Sequence, residues 1–249
     1  MSLENPLTFL DMCQRAQQEC GAGGALMSTV AGQTGRLQQI VGWVSNAWMK
    51  FQASHQDWSF LRNSLTFPTV NGQGVYSLAN CGITDPSYFG KWDKDTFRNY
   101  VTAQGIKTEV FMFPVSYDRW RDAYLYGALR DVRTRPLEFA VAPDKSIALG
   151  PIPSGDYTVV ADYFIGPQPM LEDEDTPTSV IREVGTGPGG AVAVPSQWNM
   201  LFVYRAMMDY GAFIGAPEVY DRGKIGLKEL TAQFSLDSLP EVTIGGALA

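Results

Sequence analysis

The sequence predicts an α+β chain: a helical bundle formed by N- and C-terminal helices, with an inserted β-rich domain. Three observations predict it. Residues 36–62 repeat large apolar side chains at alternating spacings of four and three, the pattern of a long amphipathic helix. The middle of the chain alternates every second residue, as half-buried strands do. After residue 195 a helical, almost wholly apolar run returns. The boundaries that follow are residues 1–64 and 194–236 for the bundle, 65–180 for the β-rich insertion, 181–193 for a linker and 237–249 for an extended tail.

The first helix is expected over Pro6–Cys20, with Asn5 as its cap, Pro6 at its first position and Gly21 closing it. "GAGGALMSTVAGQTG" is too rich in glycine and small residues for a helix or strand and reads as a surface loop. Thr34 can cap the next helix, whose stripe is Leu37, Val41, Val44, Trp48, Phe51, His55 and Trp58. Run through Arg62, it would be ~40 Å long with one aromatic face to bury.

Beyond Arg62, "SLTFPTVNGQGVYSL" reads as a hairpin around Asn71–Gly74, with Pro68 marking an edge or bulge. "TEVFMFPV" is a further strand, and "SYDRWRDAYLYGAL" a short helix capped by Ser116, with Trp120 and Tyr124 on one face. "RPLEFAVAPDKSIALGPIPSGDYTVVADYF" reads as a small meander whose Phe139/Val141 and Ile147/Leu149 face a single buried side. From Leu171 to Pro195 the chain is linker-like, acidic at first and then glycine-rich. "SQWNMLFVYRAMMDYGAFIGA" is a buried helix whose Ala206, Gly211, Ala212 and Gly215 allow close approach; Pro217 opens one more helix, to about Phe234.

Charge and composition narrow the function. Net charge is −7 and charged residues are 18% of the chain, against the ~25% usual for a soluble domain. Such a balance argues against a protein whose main task is to grip phosphates. Three cysteines without a CxxC pair make no disulfide framework and point to a reducing compartment. The N-terminus has neither the basic nor the apolar region of a secretion signal, and no apolar run approaches a membrane span.

Chemistry-bearing motifs are scarce. The single histidine, His55, lies on the apolar stripe, where an imidazole in a core or interface outweighs a catalytic one. "GTGPGG" at 185–190 matches GxGxxG in form, but prolines interrupt it and no helix opens inside it, so a linker is the better reading. The carboxylates of Glu172–Asp175 have no calcium-loop spacing. No cofactor or metal is expected and no catalytic residue is assigned. In "YDRWRDAYLYGALRDVRTRP", arginines alternate with aspartates beside large aromatics, which suits a protein contact; a surface helix packed on its own sheet stays equally open. The interface candidates are Trp120, Arg121, Arg133 and Arg135, with Val242 and Ile244 in the tail, whose β-formers suit strand addition or groove docking on another chain.

Four stretches in order, "STVAGQTGRLQQIVGWVSNAWMKFQASHQDWSFLR", "FPVSYDRWRD", the "RPLEF…VADYF" run and "NMLFVYRAMMDYGAFIGAPEVYDRGKIGLKEL", resemble the head–tail adaptor (connector) proteins of tailed bacteriophages. The resemblance implies a non-enzymatic virion protein of the neck, made in the host bacterial cytoplasm. It implies a dodecameric homo-oligomeric ring beneath the portal protein that joins capsid to the next tail or neck protein. DNA would pass through without sequence-specific binding, no membrane would be involved, and the C-terminal tail would reach the portal. The β insertion would be rigid scaffold, shaping surface for its neighbours. Two alternatives from other classes are a receptor- or glycan-binding tail component, suggested by Trp92, Trp120 and Tyr88, and a hydrolase using dispersed carboxylates.

Overall fold

The computed structural model describes residues 7–55, 58–167, 170 and 198–238. The protein is α+β, with helices α1 (Phe9–Glu19), α2 (Gly35–Ser54), α3 (Tyr117–Trp120), α4 (Met200–Ile214) and α5 (Pro217–Ser238). It divides into two compact units, one of residues 7–61 and 198–238, the other Arg62–Gly166. The linker at 181–193, the acidic run Glu172–Asp175, the glycine motif at 185–190 and residues 239–249 of the tail lie outside the described residues.

In the first unit α4 packs against α1, α2 and α5. The cap of α1 is Thr8, in place of the expected Asn5, which lies outside the described residues along with Pro6. Thr8 Oγ1 accepts the Asp11 N–H at 3.0 Å while Asp11 Oδ2 accepts the Thr8 N–H at 2.9 Å, a reciprocal capping box. The glycine-rich loop after α1 is pinned by Gln17, whose buried amide donates to the Ala25 carbonyl and accepts the Met27 N–H.

The second helix is shorter than the stripe predicts. It has 20 residues, roughly 30 Å, and stops at Ser54, with His55 extended. Trp58 then folds back: its Nε1 donates to the Phe51 carbonyl at 3.1 Å and its ring stacks on Phe51 at 5.2 Å. The aromatic that seemed to extend the stripe instead covers the helix end, satisfying one of the last carbonyls that a helix leaves unpaired. Phe234 of α5 sits 5.1 Å from both Phe51 and Trp58, and Phe202 of α4 lies edge-on to Trp48. His55 is exposed, not on a buried face, and its ring meets Trp58 edge-on.

The small residues of α4 serve the α4–α5 contact. A Cβ on Gly211 would lie 2.7 Å from the Tyr220 amide nitrogen, and one on Gly223 of α5 would lie 2.7 Å from the Tyr204 carbonyl oxygen. Each glycine therefore accommodates backbone of the facing helix. The C-terminal end of α4 is not buried: Ala212, Phe213, Ile214 and Gly215 are exposed.

The second unit holds two four-stranded sheets. The first has the order β1 (Arg62–Pro68), β10 (Tyr157–Ile165), β3 (Phe89–Val101), β4 (Val110–Phe111), all antiparallel. The second runs β2 (Val75–Tyr76), β8 (Ile147–Gly150), β7 (Glu138–Val141), β5 (Phe113–Pro114), the β5–β7 pair being parallel. A two-residue parallel pair, β6 (Arg133–Thr134) with β9 (Ile152–Pro153), completes the set. The core includes Leu65, Phe67, Phe97 and Val159 from the first sheet and Phe139, Ile147 and Leu149 from the second. Phe97 and Phe139 stack across it at 4.0 Å.

Two pairings depart from expectation. The Asn71–Gly74 turn exists, but β1 and β2 do not pair with each other; they enter different sheets, so the turn is a crossing between layers. Likewise β7 and β8 form a hairpin, closed by Lys145 at φ 68°, while the third run of the expected meander, β10, joins the other sheet between β1 and β3. The longest strand, β3, has no counterpart in the sequence-based expectation, because "KWDKDT" hides its alternation; its pairing with β10 is interrupted by two register shifts.

Replacing Gly211 by Ala is expected to lower unfolding stability by about 1–3 kcal/mol, since the opposing atoms are backbone and cannot swing away. A denaturant titration would show it as a lower midpoint with unchanged slope, whereas Gly23→Ala, in open space, should not shift the midpoint downward.

Candidate interaction surfaces

The segment singled out for arginine and aromatic content divides between interior and surface. Ser116 caps α3 as expected, its hydroxyl accepting the Arg119 N–H at 3.3 Å. The chain then continues as a π-helical turn over Arg121–Leu125. That turn lays Trp120 and Tyr124 on the outer face of the second sheet, over Ala140 and Ala148. Trp120 is only 2% exposed and its Nε1 donates to the Leu149 carbonyl at 2.9 Å. Gly150 completes the fit, since a Cβ there would strike the Tyr124 ring.

Two expectations are thereby corrected. The sheet is buried on both faces, not one, which explains why alternate residues of β7 and β8 are large on the inner side and alanine on the outer. Trp120 offers no surface to a partner. Trp92 is also buried, its indole N–H given to the Lys145 carbonyl at 2.8 Å, so neither tryptophan is presented to a glycan; the side chain of Tyr88 lies outside the description.

The arginines diverge as well. Arg135 is half-buried and structural: its Nε donates to Asn99 Oδ1 and an Nη to the Asn99 carbonyl, each at 2.7 Å, and the same Nη reaches the Thr108 carbonyl. Asn99 returns the link by donating to the Pro136 carbonyl. Arg121 lies over the exposed Tyr126 ring, 5.6 Å from its centroid, and Arg133 is exposed on β6 beside the Gly72 turn. Arg121 and Arg133 are thus the candidates left at the surface, among exposed Leu125, Tyr126, Leu129 and Val132. Val242 and Ile244 lie outside the described residues.

A second apolar surface was not singled out from sequence. Phe111 and Phe113 meet edge to face at 5.6 Å where the chain steps from β4 of one sheet to β5 of the other, around buried Met112. The Phe113 amide bonds to the Leu137 carbonyl at 2.8 Å, which puts exposed Leu137 beside them. The signal is present in "VFMF", where Phe111 and Phe113 alternate with Met112 and so share the face opposite to it.

Among the described residues the charges of each unit balance in number. Arg62–Gly166 carries eleven acidic and eleven basic residues, and the described helical residues carry seven of each. The entire −7 falls on Glu4, Asp57, Glu172–Asp175, Glu183 and Glu241 against Arg182, all outside the described residues. Many charges on the β unit are closed locally, as in Arg98–Glu109 and Arg119–Glu138 at 3.0 Å and Arg62 between Asp93 and Asp162.

Among the described residues, no group of His, Cys, Asp and Glu has the arrangement of a metal site, and no helix is long and apolar enough to cross a membrane. The three thiols are buried and free, and burial raises each pKa, to about 12 for Cys20 and Cys81. Thiols held protonated in this way are poor nucleophiles.

Trp92, Trp120 and Arg135 are held in packing, and the exposed features include the apolar surfaces around Tyr126 and around Phe113. A family model described as "SU10 adaptor protein" matches residues 7–233. The chain belongs to that family and is a bacteriophage adaptor, a structural component of the virion. No curated protein matches it closely enough to count as a relative.

Trp120→Ala should destabilise the isolated protein by about 3–5 kcal/mol, the cost of emptying a packed aromatic site; an unchanged denaturation midpoint would mean the indole is not core. Native protein at pH 8 should resist a thiol reagent such as DTNB, and all three cysteines should react once guanidinium unfolds it.

Proposed function

We propose that this protein is the head–tail adaptor that assembles as a ring beneath the portal and joins capsid to tail around the DNA channel. The family match over residues 7–233 carries the reading. The helices at the two ends would form the ring-building bundle, with the β-rich residues between them as the inserted domain. The fold supports this division, since α4 gathers α1, α2 and α5 around one aromatic core while the sandwich closes on its own.

In this reading the sandwich is scaffold. Its rigidity comes from a sheet covered on both faces, and it holds Arg121, Tyr126 and Arg133 at fixed positions for a neighbouring subunit or the next tail protein. Arginine and tyrosine beside exposed aliphatics are the residue types that dominate protein contacts. Equal numbers of acidic and basic residues among the described residues of each unit also suit a passage that DNA crosses without being held, because neither set offers a cationic excess to phosphate.

Cryo-EM of the protein with its portal should show a closed ring, and native mass spectrometry should give one stoichiometry. A protein that stays monomeric and ignores the portal under all conditions would overturn the reading. Arg121→Glu with Arg133→Glu should weaken assembly at least tenfold while leaving the unfolding free energy within about 0.5 kcal/mol of the parent, as surface changes do.

A further inference from the structure

We propose that the outer stripe of α5 in one copy docks into the seam between α2 and α4 of a neighbouring copy. The inference rests on the ring reading above and names one contact within it.

Two rows of side chains build the seam. On α2, Arg36, Trp43 and Lys50 recur every seven residues and so share one side of the helix. On α4, Arg205, Asp209 and Phe213 recur every four. Trp43 meets Phe213 at 5.5 Å, Lys50 Nζ lies 3.6 Å from Asp209, and Arg36 donates to the Tyr210 hydroxyl at 3.2 Å. Phe213 is still 57% exposed.

The charges of these rows do not balance. Asp209 is the only carboxylate on the two helices, and Lys50 shares it with Arg205 at 3.9 Å. Arg36 has a phenol for its partner, and Arg205 Nε is buried with no acceptor among the described residues. The seam is an exposed aromatic patch with a surplus of cations on both sides of it.

The complement is on α5. Glu218, Asp221, Ile225, Glu229, Ala232 and Leu236 follow one another at spacings of three and four, and all six are exposed. They lie opposite Gly223 and Phe234, which α5 buries in its own copy, so the stripe faces away from its own seam. Ile225 is 61% exposed and sits between carboxylates as Trp43 sits between cations. Among the described residues no cation closes on these carboxylates: Arg222, one turn from Glu218, reaches Glu19 of α1 at 3.7 Å instead. Lys224 and Lys228 fall to one side of the stripe.

A contact between two different faces of one chain leaves every copy with an open seam and an open stripe. It therefore propagates from copy to copy and closes into a ring when the rotation between copies allows. Burial of Ile225 against Trp43 and Phe213 supplies affinity. The charges select the pairing, because two stripes or two seams brought together would set like charges against each other.

The test places p-benzoyl-phenylalanine at position 225 of the full-length protein, assembles it with portal and irradiates. The expected product is a two-chain species whose junction joins position 225 to α2 or α4. In the otherwise unaltered chain, Asp221→Lys with Glu229→Lys should lower the yield of rings at least tenfold, a measurement that does not depend on the probe. A junction anywhere else, a closed ring of the labelled protein without any junction, or a ring yield that the two reversals leave undiminished overturns the inference and leaves the ring reading intact. Absence of a ring from the parent chain overturns both.

Discussion

The β unit depends on covering one sheet from both sides. Phe139, Ile147 and Leu149 face the other sheet, while Ala140 and Ala148 lie under Trp120 and Tyr124. A strand buried on both faces must satisfy its polar groups internally, and Trp120 contributes by donating its indole N–H to the Leu149 carbonyl. The alanines and Gly150 are the counterpart of that aromatic lid: anything larger would lift the rings off the sheet. Once the lid is fixed, its short helix is too, and the arginines that flank it point where the lid allows.

A protein built this way presents a surface already largely reconciled with itself. Several ion pairs are closed within the β unit, acidic and basic residues balance among the described residues of each unit, and some sheet edges carry a proline or a side-chain cap that discourages indiscriminate strand pairing. Such restraint suits an adaptor, which must meet specific neighbours in the virion and nothing else beforehand. Contact is left to a few apolar features: the loop with Tyr126, the Phe111–Phe113 corner and the exposed end of α4. The acidic excess falls on residues outside the described ones and contributes long-range repulsion between free copies.

Much of the architecture could be read from the residues. The switch from helical to alternating period near Arg62, the start of α2 after Thr34 (whose side chain makes no capping bond), the Ser116 cap, the opening of α5 at Pro217 and the tight α4–α5 contact all follow from local chemistry. Errors arose wherever two readings share one local pattern. Trp58 continues a heptad stripe on paper, yet a side chain that folds back to cap a helix occupies the same spacing. The Asn71–Gly74 turn signals reversal but not whether its flanking strands share a sheet. Trp120 is an aromatic beside arginines, equally suited to an interface or a lid, and burial alone distinguishes them.

Periodicity, caps and breakers act between residues a few positions apart, so the sequence by itself determined element types, most boundaries within a few residues, and the absence of familiar catalytic motifs. Order and spacing of four stretches also sufficed to point to the adaptor family. Which strand pairs with which, which arginines are tied to backbone carbonyls and which aromatics remain in solvent were decided by tertiary structure alone. Those outcomes come from contacts between residues such as Asn99 and Arg135, or Phe97 and Phe139, some forty positions apart, where competing partners differ by packing free energies that no local window contains.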